Sequence, residues 1–179
     1  MQIGHTLPEE RVEGEVHYHD LPNAPAQPSV YPPHNPVPRP YSFYVEGVDS
    51  GGGWIASSID LLRFVTSIDG KRAPALLKPE TVQLMLARPN RPDASNVPSY
   101  YAMGWVVRPS GNEAEWRHGG SIAGAHSLLV RRADGIAWAV VFNSEFREET
   151  VFTELDQILT RTIDEVKEWP PHDLFGQYP

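Results

Sequence analysis

The sequence predicts an α+β fold, an antiparallel meander sheet packed by a C-terminal helix. Between residues 101 and 142, apolar residues form strand-like runs separated by turn residues, and Ala133-Asp134-Gly135 is a strong hairpin signal. On either side of this region, apolar residues recur three and four positions apart, as they do on one face of a helix. Strands grouped together and flanked by helices, rather than alternating with them, are typical of the α+β class.

Three helices are predicted. The first begins at Ser57, which can cap it, and Asp60 three residues later completes a pair that resembles a capping box. The second begins at Lys78-Pro79-Glu80, where proline suits the first turn. The third runs from about Glu148 to Glu168 and is expected to lie across the sheet. Its apolar stripe consists of Val151, Leu155, Ile158, Leu159, Thr162 and Val166.

Four strands are predicted after the second helix. Tyr101 to Arg108 should pair with Glu113 to His118, and Ala125 to Arg132 should pair with Ile136 to Phe142. The last of these runs is almost continuously apolar, which is typical of a central strand covered on both faces.

The N-terminal part has a different character. Half of the 18 prolines fall in the first 40 residues, mostly within Leu21 to Pro40. Proline fixes φ and lacks an amide hydrogen, so this segment is expected to be an extended loop. A short strand is expected just before it, from Glu13 to His19. We therefore divide the chain into residues 1–48, the Pro-rich segment with its short strand, and residues 49–179, the C-terminal α+β portion.

The composition narrows the functional classes. The chain of 179 residues is long enough for one domain, and its formal net charge of -8 is the wrong sign for a nucleic-acid binder. The absence of cysteine excludes disulfides and thiolate chemistry. No apolar stretch reaches the roughly 20 residues of a membrane span. The first five residues do not resemble a signal peptide.

Four segments, in order, resemble one enzyme family. These are Gly52-Gly53-Trp54-Ile55-Ala56-Ser57-Ser58-Ile59-Asp60-Leu61, Tyr101-Ala102-Met103-Gly104-Trp105, His118-Gly119-Gly120-Ser121-Ile122-Ala123-Gly124, and Asn143. They are similar to Gly-Gly-x-x-Ser-Thr-x-x-Asp-Leu, Tyr-Gly-x-Gly-Trp, His-x-Gly-x-x-x-Gly and a strand-closing Asn of the class C β-lactamase-like and penicillin-binding serine hydrolases. The resemblance covers about residues 49 to 167 and implies a β-lactamase/transpeptidase-like fold.

The resemblance also implies roles for four residues. His118 occupies the position of the Lys or His of the third active-site motif, which assists proton transfer or orients a substrate carboxylate. Gly119 and Gly120 would bind substrate along the strand, because glycine leaves room for a close approach. The backbone N–H of Ser121 would be one oxyanion-hole donor. No cofactor and no metal are implied, and the substrate is a small acyl compound.

Two motifs of that family do not occur in this sequence. No serine stands three residues before a lysine, and we identify no Tyr-x-Asn or Ser-x-Asn that could complete the site. In the family, these motifs carry the nucleophile and the general base, and both precede the segment at Gly51. We therefore expect the chain to be a C-terminal portion, inactive alone because acyl transfer needs the nucleophile.

Other interpretations remain open at this stage. The same sheet could serve a non-catalytic module that binds a ligand or protein, and an exposed half-site surface could cause self-association. His17 and His19, with Asp20 or His34, could bind zinc in a metal hydrolase, although exposed surface histidines are the simpler interpretation. His126 is expected to be a packed strand residue. Four tryptophans are expected in the core or in a pocket wall: Trp54, Trp105, Trp116 and Trp138.

Overall fold

The computed structural model describes residues 1–95, 97–147 and 150–177. Nine strands are assigned in this part of the chain: β1 Gln2–Ile3, β2 Gln27–Pro28, β3 Pro36–Val37, β4 Trp54–Ile55, β5 Tyr100–Tyr101, β6 Val106–Ser110, β7 Glu113–Ile122, β8 Ala125–Arg131 and β9 Ala137–Phe142. The α-helices are α1 Val45–Val48, α2 Ser58–Ile68, α3 Pro79–Met85 and α4 Val151–Glu165. The predicted α+β class is confirmed. No helix among these residues is long and apolar enough to cross a membrane.

The main sheet is a five-stranded antiparallel meander in the order β5-β6-β7-β8-β9. Strands β6 and β7 pair from Val106↔Arg117 to Ser110↔Glu113, which confirms the predicted pairing in part. The single predicted strand from Tyr101 to Arg108 is wrong, because the chain turns at Gly104, whose φ is +78°, and Tyr101 lies in β5, which pairs antiparallel with β6. The interpretation of residues 136–142 as a central strand is wrong for the described chain, because β9 ends the strand order. A continuous apolar run predicts that both faces of a strand are buried. It does not predict that the strand has hydrogen-bonded neighbours on both sides.

The described residues group into two compact units. The first holds residues 55–120 and 127–141 with the first two residues. In it, α2 packs on the sheet through a core of Val65, Ile68, Trp105, Val107, Trp116 and Leu129. The rings of Trp105 and Trp116 meet edge to face with centroids 4.8 Å apart. These two tryptophans and Trp138 are buried as predicted, whereas Trp54 is half exposed.

The helix-start signals are confirmed for α2 and α3. Ser57 caps α2: its Oγ accepts from the Asp60 amide at 3.1 Å, and the Asp60 carboxylate accepts from the Ser57 amide at 2.9 Å. Pro79 is the first residue of α3. Helix α4 ends at Glu165, three residues before the predicted end. The predicted start, Glu148, lies outside the described residues.

The second unit holds residues 3–54, 121–126 and 142 onward. Its Pro-rich segment is largely irregular, as expected, with one two-residue antiparallel pairing between β2 and β3. The predicted strand from Glu13 to His19 does not form, and only an isolated bridge joins His19 to Ser144. Arg39 holds the segment through ion pairs with Glu145 at 2.6 Å and Asp20 at 3.5 Å. Long-range ion pairs, and not the hydrogen bonds of a paired strand, therefore hold this loop.

Candidate active site

The predicted site residues follow one another in β7. Trp116 is fully buried in the core, and His118 shares its face of the strand because side chains alternate with period two. The ladder with β6 ends at Val106↔Arg117, so His118 is the first residue beyond it. His118 and Gly119 are exposed, and Gly120 is half buried. The buried Trp116 therefore fixes β7 in the core, and the imidazole of His118 lies exposed just past the end of its pairing with β6.

His118 has a hydrogen-bond partner that sequence reasoning missed. The Tyr101 hydroxyl lies 3.2 Å from His118 Nε2, and the two rings lie 6.2 Å apart at 59°. Tyr101 is 49% exposed and Met103 beside it is 62% exposed, so solvent reaches this pair. Tyr101 belongs to a recognised segment, yet nothing in the sequence signals its contact with His118, which stands 17 positions further along the chain. The pairing order of β5, β6 and β7 creates it.

Gly120 is close to a neighbour on β8. A Cβ built at this position would lie 2.9 Å from Ser127 Oγ, which is tighter than side chains normally allow. The hydroxyl is the end of a small side chain and can rotate away. Packing within the sheet is therefore only a weak reason for glycine at this position, and the stronger reason is the substrate access that the resemblance implies.

Gly124, the last glycine of the same segment, is strictly required by its surroundings. Its φ is +79°, and an added Cβ would lie 2.5 Å from Pro40 Cγ and 2.9 Å from Tyr18 Cβ. A backbone at this φ disfavours any side chain, and the crowding removes the remaining space. The turn between β7 and β8 thus rests directly on the Pro-rich segment.

Ser121 and Asn143 have different positions. Ser121 is exposed near the end of β7, where its backbone amide is the predicted oxyanion donor. Asn143 follows β9 and ties two chain segments together. Its Nδ2 donates to the His17 carbonyl at 2.9 Å, and its own carbonyl accepts from the His19 amide at 2.9 Å. The side chain of Asn143 is therefore engaged in holding the N-terminal segment.

Comparison with known proteins decides the family. Residues 3–161 match the family model described as Beta-lactamase, which is most of the chain. The chain belongs to the Beta-lactamase family. No curated protein and no solved structure gives a significant match. Membership of the Beta-lactamase family relates the chain to serine hydrolases, which confirms the family that the sequence resemblance predicted.

The serines and asparagines of the chain do not rebuild the two missing Beta-lactamase motifs. Ser57 is engaged in capping α2. Ser110-Gly111-Asn112 has the letters of Ser-x-Asn, a variant of the base motif, and sequence reasoning passed over it. Ser110 is the exposed last residue of β6, and Gly111 and Asn112 form the exposed turn before β7. A hairpin turn that is open to solvent gives a general base neither a shielded pocket nor a neighbouring nucleophile.

The histidines proposed as zinc ligands do not meet in the described chain. His17 and His19 are exposed and belong to no group of three clustered ligands there. One other group, His5, Glu10 and Glu46, has ligand atoms within 4.8 Å of one another. Glu46 already accepts hydrogen bonds from the amide and hydroxyl of Thr6. The two other side chains are exposed, so this group alone does not define a metal site.

His126 is packed, as predicted, but it is not satisfied. Its ring stacks on Phe152 at 4.3 Å and meets Phe146 edge to face at 5.1 Å. Its Nδ1 is buried without a hydrogen-bond partner among the described residues. Burial lowers the pKa of His126, and the negative charge of Glu145 opposes that shift. The ring is therefore held in its neutral form among aromatic neighbours.

Proposed function

We propose that this chain is the C-terminal part of a serine hydrolase and contributes one wall of an acyl-transfer site. His118, Gly119 and Gly120 form that wall, and the Ser121 amide donates to the oxyanion. The observation that carries the proposal is His118 itself, exposed at the first position beyond the β6–β7 ladder in a chain of the Beta-lactamase family. Tyr18 and Pro40, both from residues 1–48, pack against Gly124 in the turn between β7 and β8.

The reaction proposed is attack of a serine on an ester, amide or β-lactam carbonyl, followed by hydrolysis of the acyl-enzyme. The tetrahedral oxyanion would be stabilised by backbone amides, and one such donor contributes about 2.7–4 kcal/mol to the transition state. The nucleophile must come from a segment with Ser-x-x-Lys, which the sequence lacks. The chain alone should therefore bind an acyl compound but not turn it over.

The test combines covalent labelling with complementation. The chain is treated with a fluorophosphonate probe and read by intact mass, alone and after addition of a polypeptide that carries the Ser-x-x-Lys and Tyr-x-Asn segments. We expect no adduct alone and a single adduct with p-nitrophenyl ester turnover after addition. His118→Ala should lower the restored turnover by about 100-fold, the typical effect of losing one preorganised donor.

His172→Ala is the matched control, because His172 is an exposed histidine far along the chain from the motif. It should leave the restored turnover unchanged. A stoichiometric adduct on the chain alone would contradict the proposal and make the labelled serine the nucleophile. Failure of addition to restore labelling would favour the second candidate.

The second candidate is a non-catalytic module that binds a ligand or a protein on the same sheet. It is favoured by the exposure of Tyr101, which contacts His118, and of Met103 two positions after Tyr101, since exposed aromatic and thioether side chains are common at binding surfaces. This surface would also promote self-association. Light scattering of the wild type and of Met103→Gln at high concentration tests this self-association. A monomer in both samples would contradict it.

A further inference from the structure

We propose that Tyr101 is a positioning residue, which donates its hydroxyl hydrogen to His118 Nε2 and so holds the imidazole in its Nδ1–H form. His118 would then serve the site as a hydrogen-bond donor through Nδ1, and not as a free base. The proposal rests on the proposed function. It starts from the 3.2 Å contact between Tyr101 Oη and His118 Nε2.

The direction of this hydrogen bond follows from the two groups. A neutral imidazole has one N–H donor and one basic nitrogen, and its tautomer is set by the partner it meets. A phenol is a good donor with an ordinary pKa near 10, whereas its oxygen is a poor base. The stronger pairing therefore places the proton on the hydroxyl and the lone pair on Nε2. The remaining ring proton is then on Nδ1.

The backbone holds both partners in place. Tyr101 pairs with Val106, and Val106 pairs with Arg117, the residue before His118. The turn after Tyr101 is closed by the Ala102 amide, which donates to the Trp105 carbonyl at 2.8 Å. Such support keeps a contact between two exposed rings in one geometry, as neighbouring partners do for functional histidines elsewhere.

This assignment narrows what the site can do. With Nε2 engaged, His118 cannot accept a proton there without breaking the bond to Tyr101. Its Nδ1–H suits an acceptor oxygen, so the substrate class is an acyl compound that carries a carboxylate or carbonyl oxygen near the scissile bond. The general base must then come from the segment that also carries the nucleophile.

The tautomer can be measured directly by ¹⁵N NMR of the full chain labelled at histidine. Spectra recorded at rising pH, until the signals stop changing, report the neutral rings. We expect Nδ1–H to dominate for His118, whose signals are assigned by their loss in His118→Gln. In Tyr101→Phe, the Nδ1–H to Nε2–H ratio should fall roughly two- to tenfold, which is the equilibrium equivalent of one neutral hydrogen bond.

Tyr100→Phe is the matched control, because the neighbouring Tyr100 hydroxyl donates to the Leu86 carbonyl at 2.9 Å and not to a histidine. It should leave the His118 ratio unchanged, and His126 serves as an internal reference in every spectrum. A wild-type His118 that is mainly Nε2–H, or a ratio unaffected by Tyr101→Phe, would overturn the proposal.

The two proposals fail separately. The tautomer measurement needs no nucleophile, so a negative result there removes the role of Tyr101 and leaves the hydrolase proposal intact. If His118 is mainly the Nδ1–H tautomer but complementation restores no activity, the hydrolase proposal is removed. The Tyr101–His118 pair would then be a feature of a binding surface only.

Discussion

Gly124 lies directly against Pro40. The turn between β7 and β8 has no space for a side chain at this position, because a Cβ on Gly124 would lie 2.5 Å from Pro40 Cγ and 2.7 Å from Pro40 Cβ. The two residues are 84 positions apart in the sequence, and one belongs to the His-x-Gly-x-x-x-Gly segment while the other ends the run of prolines. The Pro-rich segment therefore supports the turn that follows the candidate site strand.

Gly124→Ala should destabilise the protein more than an ordinary glycine substitution. The left-handed backbone alone costs a residue with a Cβ about 1–2 kcal/mol, and forced overpacking adds about 1–3 kcal/mol. Urea unfolding followed by tryptophan fluorescence measures the free energy of unfolding. Gly14→Ala is the matched control, because Gly14 has a φ of +83° and no atom within 4 Å of its added Cβ. Equal losses in the two variants would contradict the contact with Pro40.

Asp69 and Arg131 form a buried ion pair in the first unit. Arg131 Nε lies 3.4 Å from Asp69 Oδ2, and both side chains are almost fully shielded from water. Among the described residues, removing Asp69 leaves the buried Arg131 with only the longer ion pair to the half-exposed Glu113 at 3.8 Å, so Asp69→Ala should cost about 3–5 kcal/mol of the free energy of unfolding. Thermal and urea unfolding monitored by circular dichroism give the value.

Lys71→Ala is the control for that pair. Lys71 Nζ lies 2.8 Å from Glu113 Oε1, and both side chains are about half exposed. Surface ion pairs contribute about 0–1 kcal/mol, so this variant should change stability little. A loss in Lys71→Ala as large as that in Asp69→Ala would show that burial of the charge is not the cause.

His126 should make the protein sensitive to mild acid. Burial lowers its pKa in the folded state, while the unfolded chain has an ordinary value near 6.5. As the pH falls through about 6.5, the unfolded state binds the proton more readily, so the free energy of unfolding decreases. Above that pH the stability is fully present. Urea midpoints between about pH 8 and pH 5 measure the slope.

His126→Phe should flatten this pH dependence, because a phenyl ring keeps the stacking on Phe152 and does not titrate. His17→Gln, which changes an exposed histidine, should retain the wild-type slope. An unchanged slope in His126→Phe would assign the acid sensitivity to other groups.

The cap of α2 gives a fourth prediction. Ser57→Ala removes the hydroxyl that accepts from the Asp60 amide, and such losses cost about 0.5–2 kcal/mol. Ser58→Ala, one residue inside the helix, should be nearly neutral because alanine favours the helix. Melting temperatures by circular dichroism compare the two. A larger loss at Ser58 would contradict the capping assignment.

Local signals predicted the elements well. The start of α2 follows from Ser57 and Asp60, which stand three positions apart and form a capping box. The start of α3 follows from Pro79. Predictions failed where the outcome depended on distant partners. The expected strand at residues 13–19 found only one bridge, at His19, and the apolar β9 proved to be an edge strand among the described residues.

The candidate site shows the same division. Its position on β7 was predicted, because the glycines and His118 follow one another in the sequence. Asn143 was recognised only as a strand-closing residue, whereas its amide binds the His17 carbonyl. The hydrogen bond from Tyr101 was not predicted, since it depends on two successive strand pairings.

The sequence by itself determined the α+β class, the starts of α2 and α3, and the family, because these depend on spacing and order along the chain. Only the tertiary structure decided that Tyr101 meets His118, that Pro40 closes on Gly124 and that His126 is buried with no partner for Nδ1 among the described residues. Each of these depends on the distance between segments that are remote in the chain. Such distances are set by strand register and packing, which no local pattern contains.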